Sequence, residues 1–164
     1  VKALVTANGA EALRMEERFA NDVGLLWEGG GLDSDFGGEQ AETAEFKGAT
    51  IATEGKNYNG SAYLDMGKAK GAYVEWYQEN DGAAAKVNLS IRYSGTTKGR
   101  KPMNVRLNVN EEMMEKVVDL PAASNWGKNW RTVAVPIELK RGANTIRLTT
   151  LDNHGLFIDE IEIQ

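Results

Sequence analysis

From about residue 83 onward the chain keeps one pattern: an apolar residue at every second position, interrupted by turn-forming residues. Val87, Leu89, Ile91 and Tyr93 alternate with Asn88, Ser90 and Arg92, and Val105, Leu107 and Val109 alternate with Asn104, Arg106 and Asn108. Val133, Val135, Ile137 and Leu139 repeat the theme, as do Ile146 and Leu148. Successive side chains of a strand point to opposite faces, so each run buries one face and wets the other. Turn chemistry separates the runs at Ser94-Gly95, Arg141-Gly142 and Asn153-His154-Gly155, with no helical pattern between them. The expectation is an all-β fold, an antiparallel β-sandwich of jelly-roll-like type. Weaker runs at 40–46, 49–53, 62–65 and 71–79 supply the earlier strands.

The N-terminal part differs. Ala12, Met15, Phe19 and Val23 recur at intervals of three and four, with Glu11, Glu16 and Glu17 on the other side, which predicts a short amphipathic helix over 9–22. Gly29-Gly30-Gly31 and Gly37-Gly38 follow and resemble a flexible linker. The division expected is therefore an arm and linker over 1–38 and a sandwich over 39–164. Leu25, Leu26 and Trp27 sit awkwardly in a linker, because three large apolar residues need cover. The start at Val1 rather than Met suggests a processed or excised chain.

Bulk properties narrow the partners. The formal net charge is -5, and the densest basic spot is only Lys98, Arg100 and Lys101, which argues against nucleic acid or an anionic membrane surface. No apolar stretch reaches the ~18 residues of a spanning helix. There is no cysteine, so no disulfide framework, and composition leaves the compartment open.

Parity along the first and last strands raises a problem of charge. Gln40, Glu42, Ala44 and Phe46 fall on one side of the first run, and Phe157, Asp159, Ile161 and Ile163 on one side of the last. Each apolar face then carries a carboxylate, which needs a cation, a set of hydrogen-bond donors or a proton. Oxygen groups converging from two strands suit Ca2+. Strand ends that reach water, or pairing with Arg92 or Arg147, answer the problem equally well.

Two tryptophans lie in a polar loop, Ala122-Ala123-Ser124-Asn125-Trp126-Gly127-Lys128-Asn129-Trp130. A pyranose is recognised by an apolar ring against its C–H face and by planar polar groups for its hydroxyls. Trp126, among Asn, Gly and Lys, is the better stacking platform; Trp130 opens an alternating run and packs inward. Trp76, between Glu75 and Tyr77, reads as core, and His154 as an exposed turn residue. Catalysis has little to work with. One histidine and no cysteine exclude a Cys–His pair and force any Ser–His–Asp triad through His154. Paired carboxylates for glycoside hydrolysis remain, since the chain holds 24 Asp and Glu, and Glu42 with Asp159 could be taken for such a pair. A protein-interaction or adhesion sandwich is the third class, because this architecture carries many functions.

The order of short motifs adds to this reading. Gln40-Ala41-Glu42, Asn57-Tyr58-Asn59-Gly60-Ser61-Ala62-Tyr63-Leu64-Asp65, Val74-Glu75-Trp76, Ile91-Arg92-Tyr93, Trp126 to Trp130, Asn144-Thr145-Ile146-Arg147-Leu148 and Phe157-Ile158-Asp159 together resemble carbohydrate-binding module family 35, with family 6 as a near neighbour, over about residues 39–164. The resemblance implies a non-catalytic sugar-binding sandwich with a structural Ca2+, held by Glu42 and Asp159, with Gln40 standing where many relatives have Glu. It implies a ligand site in the loops at one end, made by Trp126, Asn129, Tyr58 and Arg100, to which Asn57 is added. A second Ca2+ in that site bridges to a uronic acid in some members, whereas others take galactose or mannose units. The implied setting is extracellular, within a larger modular protein that degrades polysaccharide.

Overall fold

A computed structural model describes residues 38–67, 70–96, 102–123, 127–151 and 155–164. The helix expected over 9–22 and the glycine-rich linker up to Gly37 lie outside the described residues. Eleven strands are described: β1 (Glu39–Gln40), β2 (Glu45–Lys47), β3 (Thr50–Ala52), β4 (Tyr63–Asp65), β5 (Tyr73–Asn80), β6 (Ala85–Thr96), β7 (Met103–Val109), β8 (Met114–Leu120), β9 (Arg131–Leu139), β10 (Gly142–Thr150) and β11 (Gly155–Ile163). No helix among the described residues is long and apolar enough to cross a membrane.

The strands form two antiparallel sheets. One runs β3-β4-β11-β6-β9, with β1 also paired to β11; the other runs β2-β5-β10-β7-β8. The period-two runs dictate which faces meet. Leu89 opposes Val135 and Ile91 opposes Val133 in the first sheet; Leu148 opposes both Val74 and Leu107 in the second. These side chains other than Val133, which is half-buried against them, make one buried cluster with Leu64, Trp76, Tyr93, Ile146, Ile158 and Ile161. The sandwich is the expected fold, with its hydrophobic layer built by alternation. Trp76 is core, as read, and its indole N–H donates to the Gln40 carbonyl at 3.2 Å.

Three expectations need correction, and one strand is new. Ser94-Gly95 is no turn: β6 runs through to Thr96, and Gly95 pairs with Leu156. The run 40–46 is no single strand, because a 3-10 turn over Ala41–Thr43 breaks it and passes the chain from one sheet to the other. Parity along the last strand slips at Asp159. Ile158 opposes Tyr93, but Glu160 opposes Arg92, so Asp159 is the extra residue of a β-bulge. Phe157 therefore shares no face with Ile161 and Ile163. The new strand is β8: its apolar residues Met114, Val117, Val118 and Leu120 do not hold one parity, as suits an edge strand with Val117 turned outward.

Candidate functional site

The bulge decides what the outer face of the first sheet carries. Before it, Phe157 faces outward opposite Ser94 of β6 and Asp65 of β4; after it, Glu160 faces outward between Gln40 of β1 and Arg92 of β6. The carboxylates expected against the hydrophobic layer thus belong to the opposite side of the sheet. The β3–β4 connection lies over this side, so Asp159 is 0% exposed, Gln40 1% and Glu160 7%, while Glu42 is half-buried.

Each polar group under that connection is held in place. Asp159 Oδ2 accepts from the Asn59 backbone N–H at 2.9 Å and from an Nη of Arg92. Glu160 accepts from Gln40 Nε2 at 2.8 Å and from Asn59 Nδ2 at 2.9 Å. Glu42 Oε1 accepts from the backbone N–H groups of Ser61 and Ala62 at 3.2 and 3.0 Å, and from the Ser61 hydroxyl at 3.3 Å. Gly60 has φ +69, and a Cβ there would collide with Gln40 Oε1 and stand 3.0 Å from Glu42 Oε1. Glycine is thus required twice over, by its backbone angle and by the oxygens that crowd it.

Three buried acceptors remain without a hydrogen-bond donor: Gln40 Oε1, Glu42 Oε2 and Asp159 Oδ1. In each residue the other polar atom is bonded, so the orientation is fixed and one oxygen is left over. A buried oxygen without a donor costs roughly 1–3 kcal/mol, so each of the three has room for a partner of positive charge. The ionisable side chains gathered here, Glu42, Asp159 and Glu160 against Arg92, carry three formal negative charges and one positive. No cluster of three or more His, Cys, Asp and Glu ligands forms among the described residues; the donor set is two carboxylates and an amide. All-oxygen donors with surplus negative charge fit a hard cation such as Ca2+. The Arg92 alternative is realised at Asp159 Oδ2 and leaves Oδ1 open. Burial raises the Asp159 pKa from 3.8 to about 6, despite the opposing effects of the Asn59 N–H and the Arg92 charge.

Beside this cluster two loops meet over an aromatic floor. Tyr63 and Phe157 project outward with ring centroids 4.9 Å apart, Trp130 meets Tyr63 edge-on at 5.3 Å, and Tyr58 lies against Tyr63 at 5.1 Å. Asn57 Nδ2 donates to the Lys128 carbonyl at 3.0 Å, and the Trp130 indole N–H donates to the Lys56 carbonyl at 2.7 Å. Lys56 N–H donates to the Gly127 carbonyl at 2.8 Å. Gly127 has φ +76, and a Cβ there would press on Phe157 at 2.9 Å, so the loops close only over a glycine.

Of the residues expected to bind ligand, Asn57, Tyr58 and Asn129 come together at these loops. Asn57 and Asn129 are exposed and Tyr58 half-buried. Trp126 and Arg100, with His154, lie outside the described residues. Trp130 is half-buried at the loop junction rather than within the hydrophobic layer. Arg92, Asn59 and Glu160 were not counted as site residues. Their signal is a phase slip: apolar residues at 156 and 158, then at 161 and 163, mark Asp159 as inserted and turn Glu160 toward Arg92.

No protein-family model matches the chain. It is 34% identical over 174 aligned positions to the "Putative beta-glucuronidase" of Formosa agariphila, a match that covers 99% of this chain and 16% of that protein's length. Among solved structures it is similar to a family 35 carbohydrate-binding module from Clostridium thermocellum, with TM-score 0.70 and 25% identity over 76% of this chain and 94% of that one. It is similar as well to Xyl-CBM35, solved in complex with a glucuronic acid containing disaccharide, with TM-score 0.67 and 25% identity over 76% of this chain and 90% of that one.

Proposed function

The sandwich of residues 38–164 is a family 35 carbohydrate-binding module, and from that premise we propose that it binds an oligosaccharide in its 53–62 and 127–130 loops without transforming it. The observation that carries this reading is the pair of hydrogen bonds, Asn57 to Lys128 and Trp130 to Lys56, that joins the loops bearing Asn57, Tyr58 and Asn129. Exposed amides beside an aromatic floor are the groups a pyranose needs. In this reading Trp126 supplies the stacking ring and Arg100 a second polar contact. A uronic acid is the first ligand class. The glucuronic acid disaccharide of Xyl-CBM35 supports it, as does the name of the Formosa protein. Galactose or mannose units are the alternative.

Glu42, Gln40 and Asp159 would hold a structural Ca2+, a hard positive charge at the three oxygens that lack donors. With Asp159 fully buried and bonded to Arg92, the Glu42 and Asp159 pair is unsuited to glycoside acid–base chemistry, which needs carboxyl groups within reach of the scissile oxygen. Since the match spans 16% of the Formosa protein, the chain fits a module of a larger secreted enzyme, held near polysaccharide by binding.

Calorimetric titration with glucuronic acid, unsaturated galacturonic acid, galactose and mannose oligomers tests the proposal, in calcium, in EDTA, and with Trp126→Ala. Binding of one class that Trp126→Ala abolishes is the expected result. Loss in EDTA with the fold intact would place a second Ca2+ in the ligand contact. No binding to any sugar rejects the function.

A further inference from the structure

Arg92 joins the two halves of the site. One Nη donates to Asp159 Oδ2, the other donates to the Asn57 carbonyl at 2.9 Å, and the guanidinium carbon lies 5.5 Å from the centroid of the Trp130 ring. The acceptors come from β11 and the 53–62 loop, and the ring from the segment leading into β9. Asn57 has φ +66, a left-handed turn angle that asparagine tolerates better than most residues with a side chain. Its carbonyl is anchored by Arg92, and its side chain by Lys128, 71 residues away in sequence.

We propose that Arg92 is a positioning residue for ligand binding: it fixes the backbone at Asn57 against Trp130, so that Asn57 and Tyr58 are set before a sugar arrives. The proposal rests on the sugar reading of these loops. An exposed ion pair would do little, but Asp159 is fully buried, so the guanidinium is held from one side and its second Nη is aimed at the loop. The order of the loop is then established on folding, and binding does not have to supply it. Lysine cannot replace this arrangement. A planar fork serves two acceptors and lies on an indole face at once, whereas an ammonium is a compact charge that serves one direction. Arg92→Lys keeps a cation beside Asp159 and gives up the Asn57 bond or the ring contact.

The test uses the full chain in calcium, as wild type and as Arg92→Lys, with Trp130→Leu as a second variant that leaves the Arg92–Asp159 pair in place. Amide hydrogen exchange is followed at Asn59, Ser61 and Ala62 and, for comparison, along β6 and β9; glucuronic acid and galactose are titrated calorimetrically. The expected result is loop exchange faster by about tenfold or more, unchanged strand exchange, and affinity weaker by about tenfold for whichever sugar the wild type binds. Loop and strand amides that speed up together, with affinity kept, would reduce Arg92 to a general stabilising residue and overturn the proposal. Unchanged loop exchange in both variants overturns it as well. If the wild type binds neither sugar while Arg92→Lys frees the loop selectively, the sugar reading fails and the loop-holding role stands.

Discussion

Asn144 has no exposed surface, and its side chain holds the β9–β10 turn together and ties it to β5 and to Asn110. Its Nδ2 donates to the carbonyls of Lys140 and Gly142, both at 2.9 Å, and of Gln78 at 3.3 Å, while Oδ1 accepts from the Lys140 N–H at 3.0 Å and Asn110 Nδ2 at 2.8 Å. Asn144→Ala should lower unfolding free energy by about 3 kcal/mol or more, because several buried partners lose their bonds together. Asn144→Asp should cost more, since it turns an acceptor toward three carbonyls; urea unfolding of both variants checks the order. Asp159 gives a pH prediction. Its folded pKa, about 6, lies above the ordinary 3.8, so between those values the folded state binds the extra proton and stability falls as pH rises. In EDTA the unfolding free energy should decline from about pH 4 to about pH 6, by at most about 1.4 kcal/mol per unit, and level off above. Calcium should reverse the slope, because it holds the carboxylate ionised. A flat profile in EDTA would show that Arg92 compensates Asp159 fully.

At the scale of elements, what could be read from sequence divides along a physical line. Runs in which one face is buried by the other sheet obey alternation, so β7, β9, β10 and β6 as far as Tyr93 were legible in their apolar positions. Alternation fails where a segment serves something other than that layer. The 3-10 turn at Ala41–Thr43 carries Glu42 to the 53–62 loop, the bulge at Asp159 shifts phase, and β8 at an edge can leave Val117 in water. Parity and resemblance singled out Gln40, Glu42 and Asp159, yet the face that Gln40 and Asp159 occupy was not legible, because burial by a loop leaves no period in the sequence. The loops themselves yield a prediction. Gly127→Ala should strain φ and push on Phe157, parting the 127–130 loop from the 53–62 loop. Sugar affinity should drop by about tenfold or more while the unfolding midpoint changes by a few degrees, measurable by calorimetric titration and scanning calorimetry. Gly60→Ala should strike the other half, weakening calcium response before it weakens the fold.

For the whole molecule, a cation that binds only the folded sandwich must stabilise it by mass action, about 2.7 kcal/mol when free calcium is a hundred times its dissociation constant. The unfolding midpoint should therefore climb with calcium and drop in EDTA, and Glu42→Gln should blunt the climb. A linked catalytic domain should gain rate on insoluble polysaccharide and none on a soluble fragment, since tethering changes local concentration and not chemistry. The bulge in β11 has one more consequence. Strike out Asp159, and Leu156, Ile158, Ile161 and Ile163 fall into a single unbroken alternation with Phe157, Glu160 and Glu162 between them. The strand is a regular ladder with one residue spliced into its reading frame, and that residue brings a buried carboxylate with it. A chain shortened by that single position should assemble the plainer sandwich and be indifferent to calcium.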